Sequence, residues 1–307
     1  MICPHCSSGH TAKNGLRVRK NGVNQEWICR NCGKYYTTGQ DESRIKEYAK
    51  ILLVDIETSP FRVWVWHLGK QRISHNSIFK KNGKMENWFV MSWAAKWLFD
   101  PEVMSDVVTP TEAKNRDDKR ILDSIWMMLD KADIVIAHNG DRFDIRKLNA
   151  RFIDNGIMPP SPFRTVDTLK VSRREFAFVS HKQDFLTKKF ELEQKLSTEF
   201  SLWTDGMLGI PERLKEMEEY NRHDVMGLEG VYLKYRPYIK NHPNIGVLMD
   251  EDVCPNCGSE HLDETDSVYF TTANKFPVFR CNNCHTPYIR HKKNSNMVQT
   301  NLRSVPK

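Results

Sequence analysis

The eight cysteines constrain the architecture of this chain more than any other residue type. All of them fall in CxxC pairs, which form one set near each end of the sequence: Cys3/Cys6 with Cys29/Cys32, and Cys254/Cys257 with Cys281/Cys284. About twenty residues separate the two pairs of a set, which is typical of four-cysteine zinc ribbons. Disulfides are the alternative, but the sequence opens with no secretion signal, and a reducing compartment would keep the thiols free. We therefore predict two zinc ribbons, at residues 1–40 and 250–290.

Length and charge set only broad limits on the structure and partners of the rest of the chain. The 307 residues are enough for a larger domain between the two cysteine sets. Charged residues make up 28% of the sequence, and no apolar run approaches the ~20 residues that a membrane span needs. We therefore expect a cytoplasmic protein with no membrane contact. The formal net charge of +7 favours a polyanionic partner.

The run ILLVDIETSP at residues 51–60 predicts a buried strand, because it is short and apolar and Pro60 ends it. Successive side chains on a strand point to opposite faces, so Asp55 and Glu57 would share one face. Two such carboxylates repel each other unless a cation lies between them, and Mg²⁺ or Mn²⁺ suits hard oxygen ligands. The alternative is a strand end in solvent, where both carboxylates are merely hydrated.

The next stretch has the composition of β-strands. RVWVWHL, WFVMSWAAKWLF and VMSDVV are rich in β-branched and aromatic residues, and KKNGK predicts a turn at Asn82-Gly83. Five tryptophans lie there, and because they recur at alternating positions we expect most of them in the core. They are Trp64, Trp66, Trp88, Trp93 and Trp97.

Helical and strand patterns then alternate. Residues 117–130 have helical spacing, ADIVIAHN reads as a buried strand, and a helix follows that ends at Gly156. Asp141 is a plausible cap for that helix. Asp167 lies where another predicted strand passes into a helix. The stretch LWTDGMLGIPE reads as a loop. A long helix is predicted over residues 212–236. This alternation predicts an α/β fold with a mixed sheet covered by helices.

The long helix carries a polar pair in an otherwise apolar stripe. Tyr220 and Asp224 are four residues apart, so they share a face and lie about 5–6 Å apart at Cβ. An aspartate in such a stripe is costly unless it has a partner. The alternative is an exposed Asp224 flanked by His223 and Arg222.

Three motifs, VDIET, AHNGDRFD and YNRHD, follow one another in the sequence. Together they resemble the three motifs of the DEDD exonucleases, which also occur in the proofreading domains of B-family DNA polymerases and in other nuclease domains of the RNase H-like superfamily. The YxxxD form of the third motif is similar to the tyrosine subclass, and YNxxD after DTLK resembles stand-alone phage and bacterial members. The resemblance covers roughly residues 48–240. We therefore place an RNase H-like exonuclease domain at 48–242, after a linker at 41–47.

The resemblance implies a metal-dependent 3′–5′ exonuclease that hydrolyses phosphodiester bonds by a two-metal-ion mechanism with Mg²⁺ or Mn²⁺. In this scheme Asp55 bridges both ions. Glu57 and Asp224 hold the ion that activates the attacking water, and Asp144 serves the second ion. Tyr220 orients the water together with Glu57. Because four clustered carboxylates are destabilising without cations, the charge pattern agrees with these roles.

The resemblance also implies a substrate. Single-stranded DNA is expected, with DNA favoured over RNA, and a DNA polymerase or another replication or repair protein fits as a partner in trans. His138, Asn139 and Lys188 are candidates for lining the substrate groove, with a structural role as the alternative for each. Asp141 is the rival of Asp144 as third carboxylate, but the Asn-x-x-x-Phe-Asp spacing matches the family pattern and favours Asp144.

The first ribbon has the composition of a nucleic-acid contact. The ribbon has several basic residues but a single acidic one, Glu26, and aromatic residues are interspersed among the basic ones in the sequence. This composition suits phosphate contact and base stacking. The alternative is a structural ribbon with a solvated charged face. The predicted nucleic-acid contacts of the ribbon are Arg17, Arg19, Lys20, Trp27, Arg30 and Lys34.

Other readings of the whole chain stay open. The first ribbon resembles those of some transposases, so a transposase or resolvase nuclease on the same fold is one alternative, although Tyr220 argues against it. An RNA exonuclease and a non-catalytic nucleic-acid-binding scaffold are the others. The second ribbon carries more acid and is as well suited to protein docking or packing as to DNA. The basic tail, residues 291–307, is expected to be disordered.

Overall fold

The computed structural model describes residues 3, 6–19, 22–37, 49–192, 198–249, 251–290 and 302–304. The chain divides into two compact units. The larger one is Lys50–Tyr235, and the other combines Met1–Ala49 with Arg236–Lys307. The predicted linker at 41–47 lies outside the described residues.

The bounds of the secondary structure follow the chain. The strands are β1 (Thr11–Arg19), β2 (Gly22–Cys29), β3 (Tyr35–Thr37), β4 (Ile51–Thr58), β5 (Lys80–Lys81), β6 (Lys84–Met85), β7 (Val90–Trp97), β8 (Val103–Val107), β9 (Ile134–Ala137), β10 (Arg164–Asp167), β11 (Leu262–Phe270), β12 (Lys275–Cys281), β13 (Pro287–Arg290) and β14 (Leu302–Ser304). The helices are α1 (Pro110–Asn115), α2 (Lys119–Asp130), α3 (Asp144–Asp154), α4 (Thr168–Glu175), α5 (Gln183–Lys189), α6 (Ser201–Met207), α7 (Pro211–Tyr235) and α8 (Ile245–Met249).

The larger unit is built on a five-stranded mixed sheet with the order β10-β9-β4-β7-β8. Strands β4, β9 and β10 run parallel, while β7 is antiparallel to both of its neighbours, β4 and β8. Strand β4 is central, and its first four residues, ILLV, are fully buried. The predicted α/β class, with a mixed sheet covered by helices, is confirmed.

The core forms where helices cover this sheet. The helical spacing predicts one apolar face with Ile121, Ile125, Met128 and Leu129; Ile121, Ile125 and Leu129 are buried, and Met128 is partly buried and packs against the same core. Helix α7 packs against β4, β7 and β8, and its Leu214 and Met217 join the same core. This packing brings the middle of α7 to strand β4, where the first two candidate carboxylates lie.

The segment after β4 departs from the prediction. RVWVWHL is not a strand, because only Val63 forms a bridge, to Ile78. Trp64 is 69% exposed and Trp66 fully exposed, so the core assignment is wrong for these two. It holds for Trp93, which is buried, and for Trp88 and Trp97, which pack against the core. A 3-10 turn at His75–Ser77 and the hairpin of β5 and β6 complete the segment.

The second unit holds two small antiparallel sheets, β1-β2-β3 and β11-β12-β13-β14. Each accompanies one set of cysteines. Leu302–Ser304 pairs with β13, so the predicted disorder of the tail is wrong for these three residues, and the remainder of 291–307 lies outside the described part. None of the helices that the structure describes combines the length and apolar character that crossing a bilayer requires.

Candidate active site

Three carboxylates meet in the larger unit. Asp55, Glu57 and Asp224 each offer an oxygen, and these oxygens lie within 4.8 Å of one another. Strand β4 supplies the first two, because alternation turns both away from the buried Ile56. Helix α7 supplies Asp224, which is buried. Since like charges at this distance repel, the cluster suits a hard divalent cation with oxygen ligands.

Asn221 fixes the orientation of Asp55. Its side-chain Nδ2 donates to Asp55 Oδ2 at 2.6 Å, and its Oδ1 accepts from the Ser92 hydroxyl at 2.9 Å. Asn221 is completely buried, so the amide cannot turn away into water. Sequence reasoning missed this residue. The available signal was its position directly after Tyr220 on α7, but its use depends on β7 lying alongside.

Trp203 connects Glu57 with Tyr220. The indole Nε1 donates to Glu57 Oε2 at 2.8 Å, and the indole meets the Tyr220 ring edge-on, with centroids 5.8 Å apart at 80°. Tyr220 is buried, one turn of α7 before Asp224. Trp203 lies on α6, in a segment that the sequence predicted as a loop, so this prediction was wrong and the role of Trp203 was missed.

Helix α6 reaches the sheet through a glycine. A Cβ atom on Gly206 would lie 2.7 Å from Met91 Cε of β7, closer than real side-chain contacts allow. Met91 Cε is the end of a flexible side chain, so glycine at this position favours the close approach of α6 to the sheet without being required for it.

Asp144 lies next to the cluster without being part of the 4.8 Å group. It begins α3, is buried, and its Oδ1 accepts from the Ile56 backbone N–H at 3.1 Å. Strand β9 pairs with β4 only as far as Leu53, so that edge of β4 is open to a side chain at Ile56. Burial, together with the negative charge of Glu57, raises the pKa of Asp144 to about 7.

The loop that leads to Asp144 is tight. A Cβ on Gly140 would lie 2.4 Å from Ala137 Cβ, so only glycine fits where the chain leaves β9. Asp141, expected to cap α3, does not: the N-cap residue is Phe143 and makes no side-chain cap. Asp141 instead pairs with Lys170 Nζ at 2.6 Å, because the turn directs it toward α4.

Asp167 accepts hydrogen bonds both from the start of α4 and from the loop that follows β9. Its carboxylate accepts from the backbone N–H groups of Leu169 and Lys170 and so caps α4. It also accepts from the Asn139 N–H at 3.0 Å. Asn139 has a φ of +73°, and this bond holds the left-handed turn in place.

His138 and Lys188, the other two candidates for lining the substrate groove, both have hydrogen-bond or ion-pair partners. His138 Nδ1 lies 2.9 Å from Thr168 Oγ1, and its Nε2 lies 3.0 Å from the His181 carbonyl oxygen. Lys188 is exposed and forms an i,i+4 pair with Asp184 at 3.0 Å. These contacts give both side chains a structural role, and a substrate contact for either remains a prediction.

Only some of the predicted nucleic-acid contacts of the first ribbon, residues 1–40, lie in the part of the chain that the structure describes. Trp27 packs against Cys3 and Cys29. Arg30 and Lys34 are exposed, and Lys34 Nζ lies 3.8 Å from Asp263 Oδ2. The predicted contacts of this module that lie outside the described part are Lys20 and the side chains of Arg17 and Arg19.

Both sets of cysteines form four-sulfur groups. Sulfur–sulfur distances are 3.7 Å for Cys3–Cys32 and 3.6 Å for Cys6–Cys29. In the second group they range from 3.2 Å to 3.5 Å. A disulfide needs about 2 Å, whereas the edges of a tetrahedron with metal–sulfur bonds of ~2.3 Å measure about 3.8 Å. The groups therefore fit tetrahedral metal sites.

The second group is the more enclosed. All four of its cysteines are buried, and the Tyr288 hydroxyl lies 2.6 Å from Cys254 Sγ. Burial raises the pKa of the Cys254 thiol, because a thiolate in an apolar environment is costly without a cation. These donors suit a soft divalent metal.

A family comparison covers the chain from the end of β7 to the end of α7, and Asp55 and Glu57 precede the matched residues. Residues 97–235 match the model RNase_H_2, described as RNase_H superfamily. The chain contains an RNase H superfamily domain. The matched residues of this RNase H-like domain include Asp144, Tyr220 and Asp224, and its five-stranded mixed sheet has the RNase H-like fold.

Two polymerases show more limited similarity. A DNA polymerase III PolC-type of Ureaplasma parvum serovar 3 is 37% identical over 78 residues, which are 25% of this chain and 5% of that protein. The family B DNA polymerase of the archaeon Pyrobaculum calidifontis has a TM-score of 0.45 at 16% identity, over 65% of this chain and 25% of the polymerase chain. The chain thus spans a quarter or less of either polymerase.

Proposed function

We propose that the protein is a metal-dependent 3′–5′ exonuclease that hydrolyses phosphodiester bonds of single-stranded DNA. The observation that carries the proposal is the group of Asp55, Glu57 and Asp224 within 4.8 Å, inside an RNase H-like domain. The resemblance of the three motifs to the tyrosine subclass of DEDD exonucleases supports the direction of digestion. The polymerase PolC-type relative supports DNA over RNA.

The carboxylates fit two Mg²⁺ or Mn²⁺ ions. Asp55, Glu57 and Asp224 would hold one ion, and Asp55 with Asp144 the other. Bound ions of this kind stabilise negative charge on the attacking and the leaving oxygen of the phosphodiester. The Asn221 amide keeps Asp55 in place, and the Trp203 indole does the same for Glu57. The protein thereby prepares the ligand geometry before substrate arrives.

Tyr220 is assigned to the attacking water. It is one helical turn from Asp224 and its ring is fixed by Trp203. In this position the phenol oxygen accepts a hydrogen bond from a water, or donates one to it, and orients the water toward phosphorus. Glu57 orients the same water, as the resemblance of the motifs implies.

Replacing Tyr220 by phenylalanine should lower kcat by about 10²-fold or less, because one positioned acid–base group is lost while the ring packing stays. Metal affinity should be unchanged. The measurement is single-turnover digestion of an end-labelled oligonucleotide, beside a Mn²⁺ titration. Tyr232→Phe, a buried tyrosine further along α7, is the matched control and should keep full activity. Loss of metal affinity together with activity would make Tyr220 a structural residue.

Metal affinity should rise with pH through the pKa of Asp144. This carboxyl has a pKa of about 7 without metal, and a metal ligand must be deprotonated, so binding releases a proton. Below pH 7 the affinity should fall roughly tenfold per pH unit, and above about pH 8 it should level off. Calorimetric Mg²⁺ titrations at pH 6, 7 and 8 check this. A pH-independent affinity over that range, or an equally steep change in Asp144→Asn, would remove Asp144 from the ligand set.

Digestion assays decide between this function and the alternatives. End-labelled single-stranded and duplex DNA and RNA are incubated with Mg²⁺ and resolved on a gel. A ladder that shortens from the 3′ end of single-stranded DNA supports the proposal. Internal cuts would favour the transposase or resolvase reading, faster loss of RNA an RNA exonuclease, and binding without cleavage a nucleic-acid-binding scaffold. A DNA polymerase or repair protein as a partner in trans is part of the proposal and is tested by co-purification.

We assign Zn²⁺ to the two four-cysteine groups and nucleic-acid contact to the first of them. Deleting residues 1–40 should weaken DNA binding but leave turnover at saturating DNA nearly unchanged, because the carboxylates all lie in residues 50–235. The salt dependence of binding should become shallower, by roughly 0.7 units of slope per lost phosphate contact with single strands. Binding isotherms at several salt concentrations, with melting temperatures of both proteins, test this. A lower melting temperature with an unchanged slope would make the module a structural cap.

A further inference from the structure

A groove of about 540 Å³ is lined by residues of two segments that also carry the candidate active site. Its lining includes Pro60, three residues after Glu57, and Thr204, the neighbour of Trp203 on α6. A second groove of about 400 Å³ shares Lys81, Lys114 and Arg116 with the first, and residues of the β5–β6 hairpin also line it.

The lining of the first groove is positively charged. It contains Arg62, Lys81, Lys114 and Arg116, and among the described residues that line it there is no carboxylate. Glu86, which is buried in the second groove, pairs with both Arg62 and Arg116. The single negative charge of Glu86 thus offsets only one of the two guanidinium charges, and the exposed Lys81 and Lys114 add two further positive charges. This charge attracts a polyanion.

Arg116 adds a fixed positive charge to the groove. Its Nε donates to the Asn87 carbonyl oxygen at 2.8 Å, and its Nη1 lies 3.4 Å from Glu86 Oε2. The guanidinium also lies over the Phe89 ring, 5.2 Å from the ring centroid. Its Nη2 is buried, so Arg116 contributes charge to the groove while the exposed lysines supply the accessible donors.

The rim of the groove is aromatic. Phe61 and Phe200 line it and are 44% and 68% exposed, and the exposed Trp64 and Trp66 follow Phe61 along the chain. Exposed rings beside cations are suited to stacking on unpaired bases, whose faces a duplex would hide.

We propose that this groove binds a single-stranded nucleic acid, with Lys81 and Lys114 on its phosphates and Arg116 adding positive charge, in the part of the strand next to the scissile bond. The inference rests on the proposed function, which places that bond at the carboxylate cluster. It also makes the larger unit, and not the cysteine module alone, a determinant of substrate affinity.

The experiment measures binding of a fluorescein-labelled 12-mer of oligo(dT) by anisotropy, at several NaCl concentrations and without added Mg²⁺. All proteins are full-length and carry Asp55→Asn, so that no digestion occurs. The groove variant is Lys81→Gln with Lys114→Gln. The matched control is Lys131→Gln with Lys215→Gln, which removes the same charge from two exposed lysines that line neither groove. Melting temperatures verify that both variants are folded.

The groove variant should bind about tenfold more weakly at ~0.1 M salt, and its log–log salt slope should decrease by roughly 1.4 units for two lost phosphate contacts. The control variant should bind with the same affinity and the same salt slope as the protein that keeps all four lysines. An unchanged slope and affinity in the groove variant would overturn the proposal, as would a blunt duplex that binds as tightly as the single strand. Hydrolysis of bis(p-nitrophenyl) phosphate with Mn²⁺ by the unaltered protein tests the proposed function separately, because so small a diester does not fill the groove.

Discussion

Replacing Asp55 by asparagine should lower phosphodiester hydrolysis at least a thousandfold, which corresponds to about 4 kcal/mol of transition-state stabilisation. Asp55 belongs to the 4.8 Å carboxylate group and accepts a hydrogen bond from the Asn221 amide. The amide group that this substitution introduces is neutral and a weaker ligand for hard cations than a carboxylate. The measurement is initial-rate digestion of an end-labelled oligonucleotide over a range of Mg²⁺ concentrations.

The same substitution should leave the fold intact or make the metal-free protein slightly more stable. Removing one charge from three crowded carboxylates relieves repulsion. Asp123→Asn is the matched control, since Asp123 is a half-exposed aspartate on α2 that pairs only with Lys119 in the described structure. It should retain full activity. Hydrolysis by the Asp55→Asn protein at more than a tenth of the normal rate would remove Asp55 from the metal site.

Local periodicity was enough to predict part of this arrangement. Alternation along β4 places Asp55 and Glu57 on one face, and the four-residue spacing on α7 places Tyr220 one turn from Asp224. Both rules concern a single element, and they do not depend on what packs against it. The mixed sheet also followed from the alternation of strand and helix patterns.

The contacts that orient these residues could not be predicted in the same way. Trp203 is 146 residues from Glu57 along the chain, and Asn221 is 166 from Asp55. Each depends on how helices pack on the sheet, which single-element patterns do not contain. The core prediction for Trp64 and Trp66 was wrong for a related reason: strand composition does not by itself supply a neighbouring strand, and in this segment only Val63 forms a bridge. Asp141 shows that position next to a helix does not by itself make a cap.

Removing the metal from the second four-cysteine group should unfold that module. Strand β12 ends at Cys281, and the loops that carry the other three cysteines have little apolar core of their own, so we expect the metal to supply on the order of 10 kcal/mol of folding free energy. Cys257→Ser removes one ligand from a group whose four sulfurs are all buried. We expect the unaltered protein to bind two zinc ions per chain and the variant to bind one.

Native mass spectrometry gives the zinc stoichiometry, and hydrogen exchange of β11 and β12 reports folding of the module. Cys6→Ser in the first group is the matched control: it should also reduce the count to one, but leave exchange in β11 and β12 slow. The double variant should bind none. Tyr288→Phe adds a finer test, because its hydroxyl lies 2.6 Å from Cys254 Sγ and a hydrogen bond to a ligand stabilises the ligand's charge. It should retain zinc with an affinity lower by roughly 10-fold or more. If the unaltered protein bound only one zinc ion, and Cys257→Ser changed neither that count nor the exchange of β11 and β12, the second group would be four reduced cysteines of a purely packed core, without a structural metal.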